Sequence, residues 1–444
     1  MTTATLTPPS TGTPAPPAVP IIGRPMARRR YCWVLAGIVT FGLAFRVGYV
    51  LIFTRYENSK FYDAYWYGLT AYQLSHHEFF RLGSAPTASH PPLTSLLIGS
   101  VGFILGNHDG NTAQRLTMAV IGAAVVLCVG LLGKSIAGPR VGLVAAALAA
   151  LAPNFWIPSG ILMSETPAML VMALILLALV RLLRSPTFGN AALLGAACGA
   201  EALVRAELIL FVPALLVPAA LLARQVSLRR RFGLLGVGLI TTLVVLAPWV
   251  GRNLVAFKDP TYLTTSEGPA LLGANCPLAY YGSSIGSWNL SCAASVGGSD
   301  ESVQSANATH QAIQFIEHHK ERLPIVMLAR VGRIWDFYQP IQMADIDVNE
   351  GRPPPASLAG LGFYYALLPL GIAGIVMFRR RRIPQWFLLV PAGVLTLVAV
   401  LFYGLVRFRA PFEVCLVVLA APPIVLLIER FRRPQSAKIS DPVP

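Results

Sequence analysis

The stretch HPPLTSLLIGSVGFILG, residues 90–106, decides how this 444-residue chain is threaded. It is apolar enough to enter a membrane, and its Pro-Pro pair suits a helix start, where the missing N–H groups have no intrahelical partner to lose. It is nevertheless short, because crossing roughly 30 Å of hydrocarbon takes about 20 apolar residues at 1.5 Å each. If it crosses, every later segment changes sides. If it lies along the surface, none does.

The surrounding chain chooses between the two. It is 55% hydrophobic and only 12% charged, against about a quarter charged in soluble proteins. Ten apolar runs stand out as candidate spans, at residues 31–53, 113–133, 141–158, 167–183, 189–204, 208–223, 232–250, 358–378, 384–403 and 410–428. Between them lie basic clusters: Arg28 to Arg30, Lys134 with Arg140, Arg181 with Arg184, Arg224 with Arg229 to Arg231, Arg379 to Arg382, and Arg430 to Arg433. With residues 90–106 left out of the count, all of these clusters fall on one side. The positive-inside rule makes that side cytoplasmic, together with both termini. Counting the stretch as a span breaks the rule at five consecutive clusters. It is therefore read as a re-entrant or interfacial helix.

The expected fold is an all-α polytopic membrane protein of about ten transmembrane helices. Interfacial helices belong to a first outward loop, 54–112, and a long outward loop precedes the eighth span. In order, residues 1–30 form a disordered cytoplasmic tail rich in Thr and Pro. Residues 31–250 form an N-terminal transmembrane module, 251–357 the long extracytoplasmic loop, 358–430 the C-terminal transmembrane helices, and 431–444 a second cytoplasmic tail. The net charge of +15 does not indicate nucleic acid, because it sits in topology clusters rather than on a continuous basic face. No internal repeat, inverted-topology symmetry or Walker-type phosphate loop is present, which argues against a pump. Cys276 and Cys292 lie in the long loop, whereas Cys32, Cys128, Cys198 and Cys415 fall in apolar runs. Two outward thiols suit a bridge in an oxidising compartment, contributing about 3 kcal/mol; two unpaired thiols are the alternative.

This topology gathers costly polar residues on the outward side. Asp63 and Glu78 lie in the first loop, within KFYDAYWYGLTAYQLSHHEFF, residues 60–80, whose Trp and Tyr residues suit an interface. Glu165 lies in the turn at 159–165, Arg205 and Glu207 in the hinge near 205, and Arg252 and Asn253 at the start of the long loop. Arg407, Arg409 and Glu413 mark the last outward turn. Ionisable groups at membrane depth are costly and point to function. Arginine forks bind phosphate, and a carboxylate can take the proton of an attacking hydroxyl. Plainer readings stand beside these: a helix cap for Asp63, a first-turn acid for Glu165, interfacial anchors for Arg407 and Arg409. Glu207 and Glu413 would then neutralise neighbouring arginines, and His76 and His77 would be surface residues. Arg46, inside the first span, must face protein or water.

The segments YDAYWYGLTAYQL and ASHPPLTSLLIG together resemble the first outward loop of the GT-C glycosyltransferases, especially the protein O-mannosyltransferase and aminoarabinose-transferase branch (glycosyltransferase family 39-like). LMSETPAML, ALVRAELILFVPALL, PWVGRNLVAF and RFRAPFEVCLVVLAA are similar as well, so the likeness spans about residues 31–430. The resemblance implies an inverting transferase that takes a sugar from a polyprenyl-phosphate donor. Its acceptor would be an extracytoplasmic glycan, lipid or protein, and it would work in contact with membrane lipid. Asp63 would be the catalytic acid/base residue and Glu165 the second acidic residue. His90, Arg205, Arg252, Asn253, Arg407 and Arg409 would hold substrate or phosphate. Some relatives bind a divalent metal, for which Asp63, Glu165 and Glu78 are the candidate ligands. Asp63 is followed by Ala64, where many mannosyltransferases have a second acid, and a separate C-terminal soluble domain is not expected. A transporter of lipid-linked or anionic substrates and a non-catalytic envelope scaffold are the alternatives.

Overall fold

The computed structural model describes residues 22–54, 62–76, 78–105, 110–349 and 351–431; His77 and most of both tails lie outside them. Each of the ten apolar runs is helical. Nine contribute the helices Arg28–Tyr49, Gly110–Ala137, Pro139–Leu151, Glu165–Arg184, Phe188–Val204, Leu228–Ala256, Pro354–Arg380, Trp386–Leu401 and Ala410–Phe431. The run at 208–223 is broken into a 3₁₀ turn Ala206–Leu210, a π turn Val212–Leu216 and a short helix Val217–Leu221. Pro213 and Pro218, which lack the N–H a regular ladder needs, account for the irregularity. Among the described residues six helices are long and apolar enough to cross a membrane singly, and the pair Pro139–Leu151 and Pro153–Gly160, bent by 73°, makes a seventh if it is one span. The other apolar helices are shorter, so the ten runs differ in how they would sit in a bilayer.

The chain sorts these helices into inner and outer ones. In Glu165–Arg184 and in the last span, 72% of the apolar window is buried, against 28% in Arg28–Thr54, Leu228–Ala256 and Pro354–Arg380. A helix apolar all round belongs in the centre of a bundle, and the less buried three present apolar side chains outward. Small residues allow the closest approaches. A Cβ on Gly195 would stand 2.0 Å from the Gly238 carbonyl oxygen, where Phe188–Val204 and Leu228–Ala256 touch backbone to backbone. Thr242 Oγ1 donates to the Gly195 carbonyl at 2.9 Å in the same contact.

Arg46 lies in the first span and is fully buried. Its Nη2 donates to the Ala149 carbonyl at 3.1 Å and its Nη1 to the Gly42 carbonyl at 3.0 Å. In a continuous helix Ala149 would receive the N–H of residue 153, but that residue is proline. The arginine therefore satisfies the carbonyl left open where the third run breaks.

The helix ends fall into two sets. At one end Arg140 pairs with Glu429 at 3.0 Å, Glu429 also accepts from the Arg24 backbone, Arg184 donates to the Ser135 carbonyl, and Gln225 donates to Leu183. At the other end Arg115 donates to the Thr54 carbonyl at 2.5 Å and Gln114 to the Gly68 carbonyl at 3.1 Å. The chain thus leaves the first span at Thr54 and enters the next at the same end. The apolar stretch between them forms a 13-residue helix, Leu93–Leu105, laid against Tyr62–Ser75, with Thr70 Oγ1 and Ser95 Oγ 2.7 Å apart. At about 20 Å it is shorter than the roughly 30 Å of hydrocarbon a span must cover.

The long loop is folded. It carries helices Glu267–Ala274, Glu301–His318, Leu323–Ile334 and Pro340–Asn349, and Cys276 and Cys292 are joined by a disulfide. Two buried arginines seat it. Arg330 donates to the carbonyls of Ala274 and Val400, and Arg333 to those of Ile285 and Ser283. The β-structure among the described residues is one two-residue hairpin pairing, Arg81–Leu82 with Ala85–Pro86.

Candidate active site

Asp63 lies in the first turn of Tyr62–Ser75, where the positive end of the helix dipole favours a carboxylate. Trp66 and Tyr67 follow at the spacing that puts three side chains on one helix face. They hold His90 between them: Tyr67 is stacked on its ring at 4.9 Å and Trp66 meets it edge-on at 5.0 Å. His90 precedes the two prolines that open Leu93–Leu105, and its Nε2 lies 3.3 Å from Asp63 Oδ1. The other carboxylate oxygen, Oδ2, accepts from Arg407 Nη2 at 2.7 Å. Arg407 comes from the 3₁₀ turn Val406–Arg409, which joins the last two apolar runs.

Arg205 completes this group. Phe188–Val204 ends at Arg205, whose extended backbone turns its side chain over Phe408, 4.3 Å from the ring centre. Arg407 approaches the same ring at 5.5 Å. Glu207 takes Arg205 Nη2 at 2.6 Å, as the plainer reading of that acid expects. The Tyr67 hydroxyl is pushed up by burial and by Asp63, and drawn down by Ser164, Arg205 and Arg407. The Asp63 carboxyl carries the opposite balance. Burial works to raise its pKa, but Arg407 and His90 prevail and hold it well below the usual carboxylate range. It is about a quarter exposed, so an incoming group can reach it. The result is one ionised carboxylate, one histidine and two arginines, an arrangement suited to an anionic phosphate beside a hydroxyl.

The other residues singled out in the sequence occupy separate places. Glu165 is buried at the start of Glu165–Arg184. It lines a small crevice with Pro158, Ile161, Met163 and Arg352. Its Oε2 has no hydrogen-bond partner among the described residues. Arg252 faces the first loop: its Nη2 donates to the Phe80 carbonyl and its Nη1 to that of Thr87, at 2.9 and 3.0 Å. Asn253 is fully buried and donates to the Tyr262 carbonyl. Arg252 thus braces the first loop and Asn253 the start of the long one. Arg409 is buried with Asp336 at 2.8 Å and Glu413 at 2.9 Å, flat against the Tyr364 ring. Glu413 also accepts from Asn154. Glu78 is exposed. Asp63, Glu165 and Glu78 do not converge, and among the described residues no three His, Cys, Asp or Glu side chains are placed to share a metal.

A helical membrane bundle with this site at one end is a defined class of protein, and known proteins of that class resemble the chain. Residues 89–251 match the family described as dolichyl-phosphate-mannose-protein mannosyltransferase. The oligosaccharyltransferase of Archaeoglobus fulgidus, in its apo form, superimposes with a TM-score of 0.55 at 16% identity, over 91% of this chain and 51% of that one. The same archaeal enzyme, AglB, in complex with an inhibitory peptide and a dolichol-phosphate, gives 0.53 at 16% identity, over 91% and 51%. ArnT from Cupriavidus metallidurans bound to undecaprenyl phosphate gives 0.43 at 16% identity, over 89% and 77%. The chain spans about half the length of the archaeal structures it matches. No curated protein sequence matches it. The resemblance to the GT-C glycosyltransferases is borne out, and so is the all-α polytopic membrane fold.

Proposed function

We propose that this protein is an integral membrane glycosyltransferase that moves a sugar from a polyprenyl-phosphate donor to an extracytoplasmic acceptor, inverting the anomeric centre. The observation that carries the reading is Asp63 held between Arg407 and His90, with Arg205 beside them, at the end of the bundle away from the basic clusters. The positive-inside rule assigns those clusters, and both termini, to the cytoplasm of a plasma-membrane protein. The site then faces outward, where soluble nucleotide sugars are not made and a lipid must bring the donor.

In the reaction, the acceptor oxygen bonds to the anomeric carbon as the carbon–oxygen bond to phosphate breaks. The electron pair leaves with the phosphate, and the acceptor proton passes to Asp63. Arg205 and Arg407 neutralise charge growing on the phosphate, which is why the leaving group needs no proton. Inversion follows when the hydroxyl attacks from the face opposite the phosphate.

Arg407 has a second effect. Paired with it, Asp63 is a weak base; a phosphate that draws the guanidinium away lets the carboxylate's affinity for a proton rise. Donor binding thereby prepares the base. His90, wedged between Trp66 and Tyr67, keeps the carboxylate pointed while Arg407 moves. Glu165, buried at the start of Glu165–Arg184, orients the acceptor side.

The test is transfer of radiolabel from polyprenyl-phosphate sugars to acceptor in membranes holding wild type or Asp63→Asn. The variant is expected to lose at least about 10²-fold in rate, the scale on which general bases act, while its thermal stability shows it folded. Equal transfer by a folded variant would remove Asp63 from the chemistry. Flux of donor across vesicles without covalent change would make the protein a transporter.

A further inference from the structure

Glu301 lies more than two hundred residues from Thr87 and Ala88 of the first loop, yet it holds both of them, together with Thr265 of its own long loop. Its Oε1 accepts from Thr87 Oγ1 at 2.7 Å. Its Oε2 accepts from the Ala88 backbone N–H at 2.9 Å and from Thr265 Oγ1 at 2.8 Å. Thr87 is fully buried, and its Oγ1 in turn accepts from Trp66 Nε1 at 3.0 Å. Trp66 is the residue that meets the His90 ring edge-on, and it lies one helical turn from Asp63. An unbroken relay therefore runs from Glu301 through Thr87 and Trp66 to the His90–Asp63 pair.

Neighbouring contacts support the same grip. Thr265 N–H donates to the Ala88 carbonyl at 2.9 Å, and Thr264 Oγ1 to the Ser89 carbonyl at 2.6 Å. Residues 87–89 are thus seated on the long loop immediately before His90. Glu301 is not needed to start its own helix, because Asp300 caps Glu301–His318 by accepting from the N–H groups of Ser302 and Val303. A carboxylate that takes two hydrogen bonds from another loop and a third from its own, while a neighbour caps its helix, is placed to join the two loops.

We infer that Glu301 is a positioning residue: by fixing Thr87 and Ala88 it sets where Trp66 holds His90 against Asp63. This deepens the transferase reading and rests on it for its kinetic arm alone. The long loop then serves as a brace that completes the site, and it acts through geometry rather than by touching substrate.

The experiment compares wild type, Glu301→Gln, Thr87→Val and the double variant, each in full-length purified protein. Glu301→Gln keeps the side chain's size but loses one acceptor oxygen. It is expected to lower kcat by about tenfold to 10²-fold, with the donor KM within about twofold, as small displacements of reacting groups do. The double variant is expected to be no slower than the worse single one, because both substitutions cut one relay. Rate losses that multiply, or an unchanged kcat in a folded Glu301→Gln, would overturn the inference.

A second readout needs no turnover. Diethylpyrocarbonate modification of His90, followed by peptide mass spectrometry, is expected to quicken severalfold in Glu301→Gln. His318, exposed at the far end of the same helix, is the internal standard and should not change. An unchanged His90 rate would sink the inference even if the protein proved to be no transferase. Faster His90 modification with no transfer by wild type would uphold the brace and reject the function.

Discussion

Arg407 Nη2 donates to Asp63 Oδ2 at 2.7 Å across 344 positions of sequence, joining the first loop to the last turn. Removing the guanidinium leaves burial as the larger remaining influence on the carboxyl, and burial raises its pKa. Arg407→Gln is therefore expected to move the acid limb of the pH–rate profile to higher pH, and to weaken donor binding about tenfold or more. A profile that stays in place would separate Arg407 from the base. Stability should follow the same sign. A carboxyl held low stabilises the fold above about pH 4 and loses that contribution as pH falls through its folded value, so the wild-type advantage in thermal stability should shrink in acid.

Arg46 satisfies a carbonyl that Pro153 leaves without a donor, inside a span. Arg46→Met keeps much of the side chain's length but leaves Ala149 O buried and unpaired. The expected cost is about 1–3 kcal/mol for that group alone, seen as a lower thermal midpoint in detergent. Unchanged stability would mean that water or another donor reaches the break.

The disulfide between Cys276 and Cys292 closes a loop of 16 residues within the long-loop subdomain. Replacing both cysteines with serine is expected to cost about 3 kcal/mol from the restored freedom of the unfolded chain. The loss should appear as earlier proteolysis of the long loop, ahead of any loss of the transmembrane bundle. Cleavage that begins instead in the helical bundle would show that the loop does not unfold separately.

These cases show what was legible in the sequence. The ten apolar runs and the burial of Arg46 followed from length, charge and hydrophobicity, which act locally. Asp63, His90, Arg205 and Arg407 were each legible as costly residues, and the one-sided topology brought them to the same end. Their partners were not legible. Arg252 faces the carbonyls of Phe80 and Thr87 because a guanidinium also binds backbone oxygen, and a backbone oxygen carries no side-chain signal. Glu301 was missed for a related reason: it sits in an ordinary amphipathic helix, and its contacts are to a threonine hydroxyl and an amide set by tertiary structure. The sole sequence hint was an acid directly after a helix-capping aspartate, more than such a helix start requires.

Arg407 and Arg409, two residues apart, offer the sharpest separation of catalytic from structural charge. One short 3₁₀ turn presents them in different directions: Arg407 toward the partly exposed Asp63, Arg409 into a buried group with Asp336 and Glu413. Arg409 also donates to the Ile334 carbonyl and lies 3.5 Å from the centre of the Tyr364 ring, so a bound phosphate would have to displace a complete set of partners. Breaking a buried charge group leaves its other members uncompensated, at a cost of about 3–5 kcal/mol. Arg409→Gln is therefore expected to lower the thermal midpoint sharply, while donor KM in the protein that remains folded stays within about twofold of wild type. Arg407→Gln should instead raise donor KM, with a loss of stability at neutral pH smaller than that of Arg409→Gln because the Asp63 it leaves is partly exposed. Measuring both quantities on both variants decides the matter: a raised KM in Arg409→Gln would return that residue to the phosphate site, and a large stability loss in Arg407→Gln would make its contact with Asp63 chiefly a fastening of the fold.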